Sequence, residues 1–139
     1  MTDKETILVN KYLGIPFRHR GRSMEALDCY GLVLKVYEDL GIKLFDLESY
    51  EEDLSQTQTD YFIKQYYREW EKVIKPSIFD VVLFKAKGIA VHCGVVLSGG
   101  KFLHSSRKTK GVIVSRLYGG AWEKMIEGFY RNKARNDHR

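Results

Sequence analysis

At Asp80 the spacing of the apolar residues changes, and that change limits the folds open to the chain. Upstream, Cys29, Leu32, Val33, Val36, Tyr37 and Leu40 recur at helical spacing, with Lys35, Glu38 and Asp39 on the other face. Downstream the period is two: DVVLFKA, VHCGVVL, KFLHSSR and GVIVSRL read as four short strands. MIEGFYR reads as a fifth, although AWEKMIEG equally fits a helical turn. Helices first and strands later predict an α+β domain with an antiparallel sheet. The 139 residues suit one domain, here placed at 1–131 with a basic, flexible tail at 132–139. A chain of that length can bury a core without disulfides or metals.

The first helix is predicted from Asp3 to Leu13, with Thr2 and Glu5 as a capping box and Gly14 and Pro16 as its stop. The second opens at Asp28, a good N-cap, and closes at Gly41. Residues 46–60 read as polar and irregular, and a third helix is expected from Asp60 to Ile74, with Phe62, Tyr66 and Trp70 on one side. No run approaches the roughly 18 apolar residues of a membrane span. The N-terminus lacks a signal peptide's apolar core, so the chain is expected to start in the cytoplasm.

The net charge is +5, with bases clustered at Arg18, His19, Arg20, Arg22, at Arg107, Lys108, Lys110, and at Arg131, Lys133, Arg135, Arg139. These are either solvated loops or a polyanion-binding surface, for nucleic acid or an anionic cell wall. The acidic run Asp46, Glu48, Glu51, Glu52, Asp53 argues against a uniformly basic surface, and nucleic acid is not the expected partner.

Cys29 is one of only two cysteines and falls in the first turn of the second helix. It is either a small buried core residue or a reactive thiol. The first turn favours the second reading, because its unpaired N–H groups and the helix dipole stabilise a thiolate and can hold an oxyanion. A nucleophilic thiol needs a base with an orienting partner. Of the four histidines, His138 lies in the tail and His19 in a basic loop, which leaves His92 and His104. On VHCGVVL, His92, Gly94 and Val96 share one face and Cys93, Val95 and Leu97 the other. A two-residue Gly99-Gly100 turn puts His104 opposite Val95, on the wrong face. A three-residue Ser98-Gly99-Gly100 loop puts it opposite Gly94. The two imidazoles then lie diagonally on one face, with Cβ atoms roughly 7–8 Å apart or less. Two unconnected strand histidines are the other reading. No metal site is expected: adjacent His92 and Cys93 point apart, and no fourth ligand joins Cys29, His92 and His104. Cys93 reads as a small apolar residue.

In order, "YLGIPFRHRG", "DCYGLV", "DVVLF" and "VHCGVVLSGGKFLHSS" resemble the motifs of the NlpC/P60 family of papain-like cysteine peptidases, over nearly the whole chain. The resemblance implies a papain-like α+β core, with Cys29 as nucleophile, His92 as general base and His104 as the orienting residue. It implies hydrolysis of peptide bonds in bacterial cell-wall stems through an acyl-enzyme, with no cofactor. It also places Phe17, Asp28, Tyr30 and Tyr12 at the oxyanion and substrate groove. Phe17 stands where the family usually has a tyrosine whose hydroxyl lies near the nucleophile, and Tyr12 or Tyr30 is the candidate to replace it. Tyr30 replaces a small serine and is expected to crowd the groove. The stand-alone form looks like the wall peptidases of phage tails, which implies tail proteins as partners and delivery to the wall in a phage-like particle. Two further readings are a weakly active or inactive papain-like assembly component and a polyanion-binding module.

Overall fold

The first ten-residue helix begins where its sequence supplies a cap. The structure, a computed structural model, describes residues 1–46, 69–86 and 89–135. Helix α1 spans Asp3–Tyr12, with the Thr2 hydroxyl accepting from Glu5 N–H and the Glu5 carboxylate accepting from Thr2 N–H. Two strands of two residues each, β1 (Arg22–Ser23) and β2 (Ala26–Leu27), precede helix α2 (Cys29–Asp39). Then follow β3 (Trp70–Val73), β4 (Val81–Ala86), β5 (Ile89–Leu97), β6 (Lys101–Ser106), β7 (Gly111–Arg116), a 3-10 turn at Glu123–Met125, and β8 (Ile126–Asn132). The last six strands form one antiparallel sheet ordered β3-β8-β4-β5-β6-β7. The chain is therefore α+β, as the change of period predicts. AWEKMIEG holds both expected elements: a 3-10 turn running into a strand. No helix among the described residues is long and apolar enough to cross a membrane.

The sheet is covered on both faces. Val81, Leu83, Cys93, Val95, Leu97 and Leu103 pack against Leu8, Tyr12, Leu32, Val33 and Val36 of the two helices. Val82, Phe84, Val96, Phe102, Leu117 and Phe129 form a second layer, closed by Trp122, Met125 and Ile126. Burial on both faces explains why β4 reads as the unbroken apolar run VVLF.

The β5–β6 register settles the hairpin question. Val95 pairs with Leu103, Val96 with Phe102 and Leu97 with Lys101, leaving the three-residue loop Ser98-Gly99-Gly100. Gly99 and Gly100 both take positive φ, +74° and +69°, which a side chain would resist. Further along β5 the pairing with β4 slips: Phe84 faces His92 but Lys85 faces Ala90. The extra residue is a β-bulge beside His92, a device that re-aims neighbouring side chains.

Two expectations are corrected. Trp70–Val73 is a strand on β8, not the end of a third helix; Trp70 is buried and its ring lies 5.6 Å from that of Tyr37. The edge of β8 offers backbone partners that override local helical spacing. The rest of that expected helix, and residues 47–60 of the irregular stretch, lie outside the described residues. The tail is also anchored further than expected: Asn132 ends β8, and Arg135 is 1% exposed. Its guanidinium donates to Asp80 Oδ1 (3.1 Å) and to the Ile78 carbonyl (2.7 Å).

Candidate active site

Asp28 fixes the start of α2. One carboxylate oxygen accepts from Gly31 N–H at 2.7 Å, as an N-cap does, and from Arg22 Nη1 at 2.8 Å. The other accepts from Arg20 N–H at 3.0 Å. The loop that precedes the helix is thereby tied to its first turn. Gly31 belongs to the same join, because a Cβ there would overlap the Gly21 carbonyl. Asp28 is 3% exposed and spends its carboxylate on this scaffold. It acts on the groove through the position of Cys29, not by lining it. Arg20 and Arg22 also pair with Asp46, at 3.2 and 2.9 Å, so part of the basic cluster is neutralised within the fold.

Cys29 is the first residue of α2 and is 8% exposed. The Cys93 thiol hydrogen-bonds to its sulfur, and so does His92. These two contacts and the nearby His92 charge pull the Cys29 thiol down to about 5, against the opposing effects of burial and of the Asp28 carboxylate. The sulfur is thus favoured as a thiolate at neutral pH.

His92 Nε2 lies 2.8 Å from His104 Nδ1, and His104 Nε2 lies 2.7 Å from Ser115 Oγ. The engagement of Nε2 leaves Nδ1 of His92 for the sulfur. Burial, then the neighbouring His92 charge, push His104 down to about 3, so its ring is neutral and carries one proton. If His92 is to take a proton on Nδ1, its Nε2 must donate to His104 Nδ1. The single His104 proton then sits on Nε2 and is donated to Ser115 Oγ. The chain of bonds therefore has one direction, from the His92 ring to the Ser115 hydroxyl. Aromatic rings hold both imidazoles: Trp122 stacks on His92 at 5.2 Å and 26°, Phe84 lies 5.8 Å away, and Phe102 lies 4.2 Å from His104. Gly94 makes this possible, since a Cβ there would meet Phe102 Cδ2 at 2.8 Å, Leu103 O at 2.9 Å and His104 Cβ at 3.2 Å.

Cys29, His92 and His104 are thus brought together, while the hydroxyls of Tyr12 and Tyr30 are engaged elsewhere. The Tyr12 hydroxyl donates to Asp39 Oδ2 at 2.5 Å, and it lies 3.1 Å from the Lys35 carbonyl, towards the far end of α2. The Tyr30 hydroxyl donates to the Phe45 carbonyl at 2.7 Å. Both hydroxyls are committed to the scaffold, so neither replaces the one absent at Phe17. The Phe17 ring lies under the Arg107 guanidinium, 5.3 Å away, and its N–H donates to the Lys110 carbonyl. Among the described residues, no group of three or more His, Cys, Asp or Glu side chains could hold a metal ion.

Ser115, Trp122 and Cys93, the last read from sequence as a small apolar residue, are the site residues that sequence reasoning missed. A signal for Ser115 exists: it is the polar residue of GVIVSR, and with His104 opposite Ile113 it lies two residues along on the same face. Trp122 follows Gly119-Gly120 in an irregular segment, and no local pattern points it at the histidines.

A model of the NlpC/P60 family matches residues 14–131. The fold resembles that of a Staphylococcus aureus protein described as similar to lipoprotein, NLP/P60 family (18% identity, TM-score 0.66, 95% of this chain and 42% of that one). A Bacillus cereus NlpC/P60 family protein is similar at 22% identity and TM-score 0.66, covering 90% of this chain and 39% of that one. The chain therefore spans about two-fifths of the length of these two relatives. RipD from Mycobacterium tuberculosis, described as a non-catalytic NlpC/p60 domain protein adapted to peptidoglycan binding, is similar at 16% identity and TM-score 0.59, over 96% of this chain and 99% of that one. No functionally curated protein matches the sequence significantly.

Proposed function

The chain belongs to the NlpC/P60 family, and from its Cys29–His92–His104 arrangement we propose that it is a cysteine hydrolase of amide bonds in bacterial cell-wall stem peptides. The observation that carries this reading is the line of contacts from the Cys29 sulfur to His92 and on to His104. The Cys29 thiolate attacks the scissile carbonyl carbon, and the oxyanion that forms is held by first-turn N–H groups of α2, which have no intrahelical acceptor. Gly31 N–H is already taken by Asp28, and the donor nearest the sulfur is the N–H of Cys29 itself. The His92 imidazolium gives its Nδ1 proton to the leaving amine, and the acyl group stays on sulfur. Neutral His92 then takes a proton from water, and the hydroxide displaces the acyl group from sulfur. His104 keeps the His92 Nε2 proton in place through both steps.

The test is mass spectrometry of wall fragments incubated with wild type and with Cys29→Ala. New fragments carrying a free amine and a free carboxylate are expected with wild type alone. The second reading is a non-catalytic module that binds the same peptides; the lost hydroxyl at Phe17 and the described role of RipD favour it. Retention of uncut fragments by wild type and Cys29→Ala alike would establish that reading and overturn the first.

A further inference from the structure

The mechanism above uses one of the chain's two cysteines as its nucleophile, and the other is beside it. Cys93 faces the helices from β5, with Val95 and Leu97, in the same packed cluster as Cys29. It is fully buried, neither cysteine is in a disulfide, and the two side chains are hydrogen-bonded to one another. A thiolate at a helix start with a second thiol against it is the arrangement of an oxidisable cysteine and its resolving partner.

We propose that Cys93 is a resolving cysteine, which traps peroxide-oxidised Cys29 as a reversible intramolecular disulfide. The Cys29 thiolate attacks one oxygen of a hydroperoxide; the O–O bond breaks, hydroxide or alkoxide leaves, and Cys29 becomes a sulfenic acid. The Cys93 sulfur then attacks the Cys29 sulfur, its proton passing to the departing hydroxide, so that water leaves as the S–S bond forms. Two thiols and one hydrogen peroxide give one disulfide and two waters, with two electrons passing from sulfur to peroxide oxygen. Cys93 needs no path to solvent, because its reaction partner is the neighbouring sulfur. Oxidation beyond the sulfenic acid is irreversible, so the disulfide preserves the nucleophile until a thiol reductant restores it. The inference rests on the proposed Cys29 thiolate but not on turnover of any wall peptide.

The experiment treats reduced, reductant-free protein with a few equivalents of hydrogen peroxide, blocks residual thiols with a maleimide under denaturing conditions, and reads intact mass and a tryptic map. Wild type is expected to lose about 2 Da, to take up no maleimide and to yield a joined Cys29–Cys93 peptide that dithiothreitol separates. Cys93→Val and Cys93→Ser are expected to gain about 32 Da instead, as a sulfinic acid that dithiothreitol does not reverse. Their iodoacetamide rates, measured beforehand, report whether the Cys29 thiolate survives; if one variant misfolds, the other carries the comparison. Wild type that accumulates sulfinic acid as fast as the variants, or pairs only between molecules, overturns the proposal. Hydrolysis without the disulfide would sink this inference alone, and the disulfide without hydrolysis would sink only the peptidase reading.

Discussion

At Cys29 three neighbours decide the chemistry: the Cys93 thiol, the His92 ring and the Asp28 charge, the first two favouring thiolate and the third opposing it. Because the charged form is favoured in the fold, alkylation by iodoacetamide is expected to stay fast at neutral pH and to fall as pH drops through about 5. His92→Ala should move that inflection upward. A wild-type inflection near the ordinary thiol value of about 8.5 would mean that the thiolate is not formed. Ser115 acts one residue further back, as a positioning residue. Ser115→Ala leaves a buried His104 N–H without its acceptor, which costs roughly 1–3 kcal/mol and should lower kcat about tenfold while raising the alkylation inflection. Ser115→Thr should restore both. A merely structural role would lower the melting temperature and leave the inflection where it is.

At the scale of elements, α1 is stitched to the hairpin that carries the histidines. The Glu5 carboxylate caps its own helix and also accepts from Ser98 N–H at 2.7 Å, in the β5–β6 loop. Burial pushes this carboxyl upward, but the hydrogen bonds from Ser98 and Thr2 outweigh it and hold the group below its ordinary value of 4.5. A depressed folded value stabilises the fold above the unfolded value, and the gain is lost as pH falls through the folded one. Glu5→Gln should therefore melt at lower temperature than wild type at pH 7. The two melting curves should converge as pH is lowered below 4.5. Parallel curves down to pH ~3 would show that the charge contributes nothing.

The whole molecule is closed by Asp80, the first residue of DVVLF. It is fully buried and accepts from Ser77 N–H (2.7 Å), from Arg131 Nε and Nη2 (3.1 and 2.8 Å) and from Arg135 Nη1 (3.1 Å). This join holds the C-terminal segment against the start of β4. Asp80→Ala leaves a buried guanidinium without its anion and should destabilise by about 3–5 kcal/mol, read from urea unfolding. Ending the chain at Arg131 should also lower stability, because Arg135 and its bonds go with it. An unchanged unfolding midpoint would mean that the segment is not part of the fold.

The helix and strand periods, the Thr2 and Asp28 caps and the Ser98-Gly99-Gly100 loop were legible in the sequence, because each is set by residues close together in the chain. They pointed to the α+β class and offered the three-residue loop as one of two registers, and the β5–β6 pairing then selected that loop and brought His92 to His104. Tertiary structure alone decided the rest. Trp70–Val73 became a strand because β8 offered it an edge, and Tyr12 and Tyr30 turned their hydroxyls away to acceptors at Asp39 and Phe45. Ser115 and Trp122 reached the site from separate segments, and Cys93, read from sequence as a small apolar residue, met the Cys29 sulfur across the sheet–helix interface. Period and capping act over a few residues, whereas a hydrogen-bond partner or a stacked ring is chosen by packing between residues far apart in the chain.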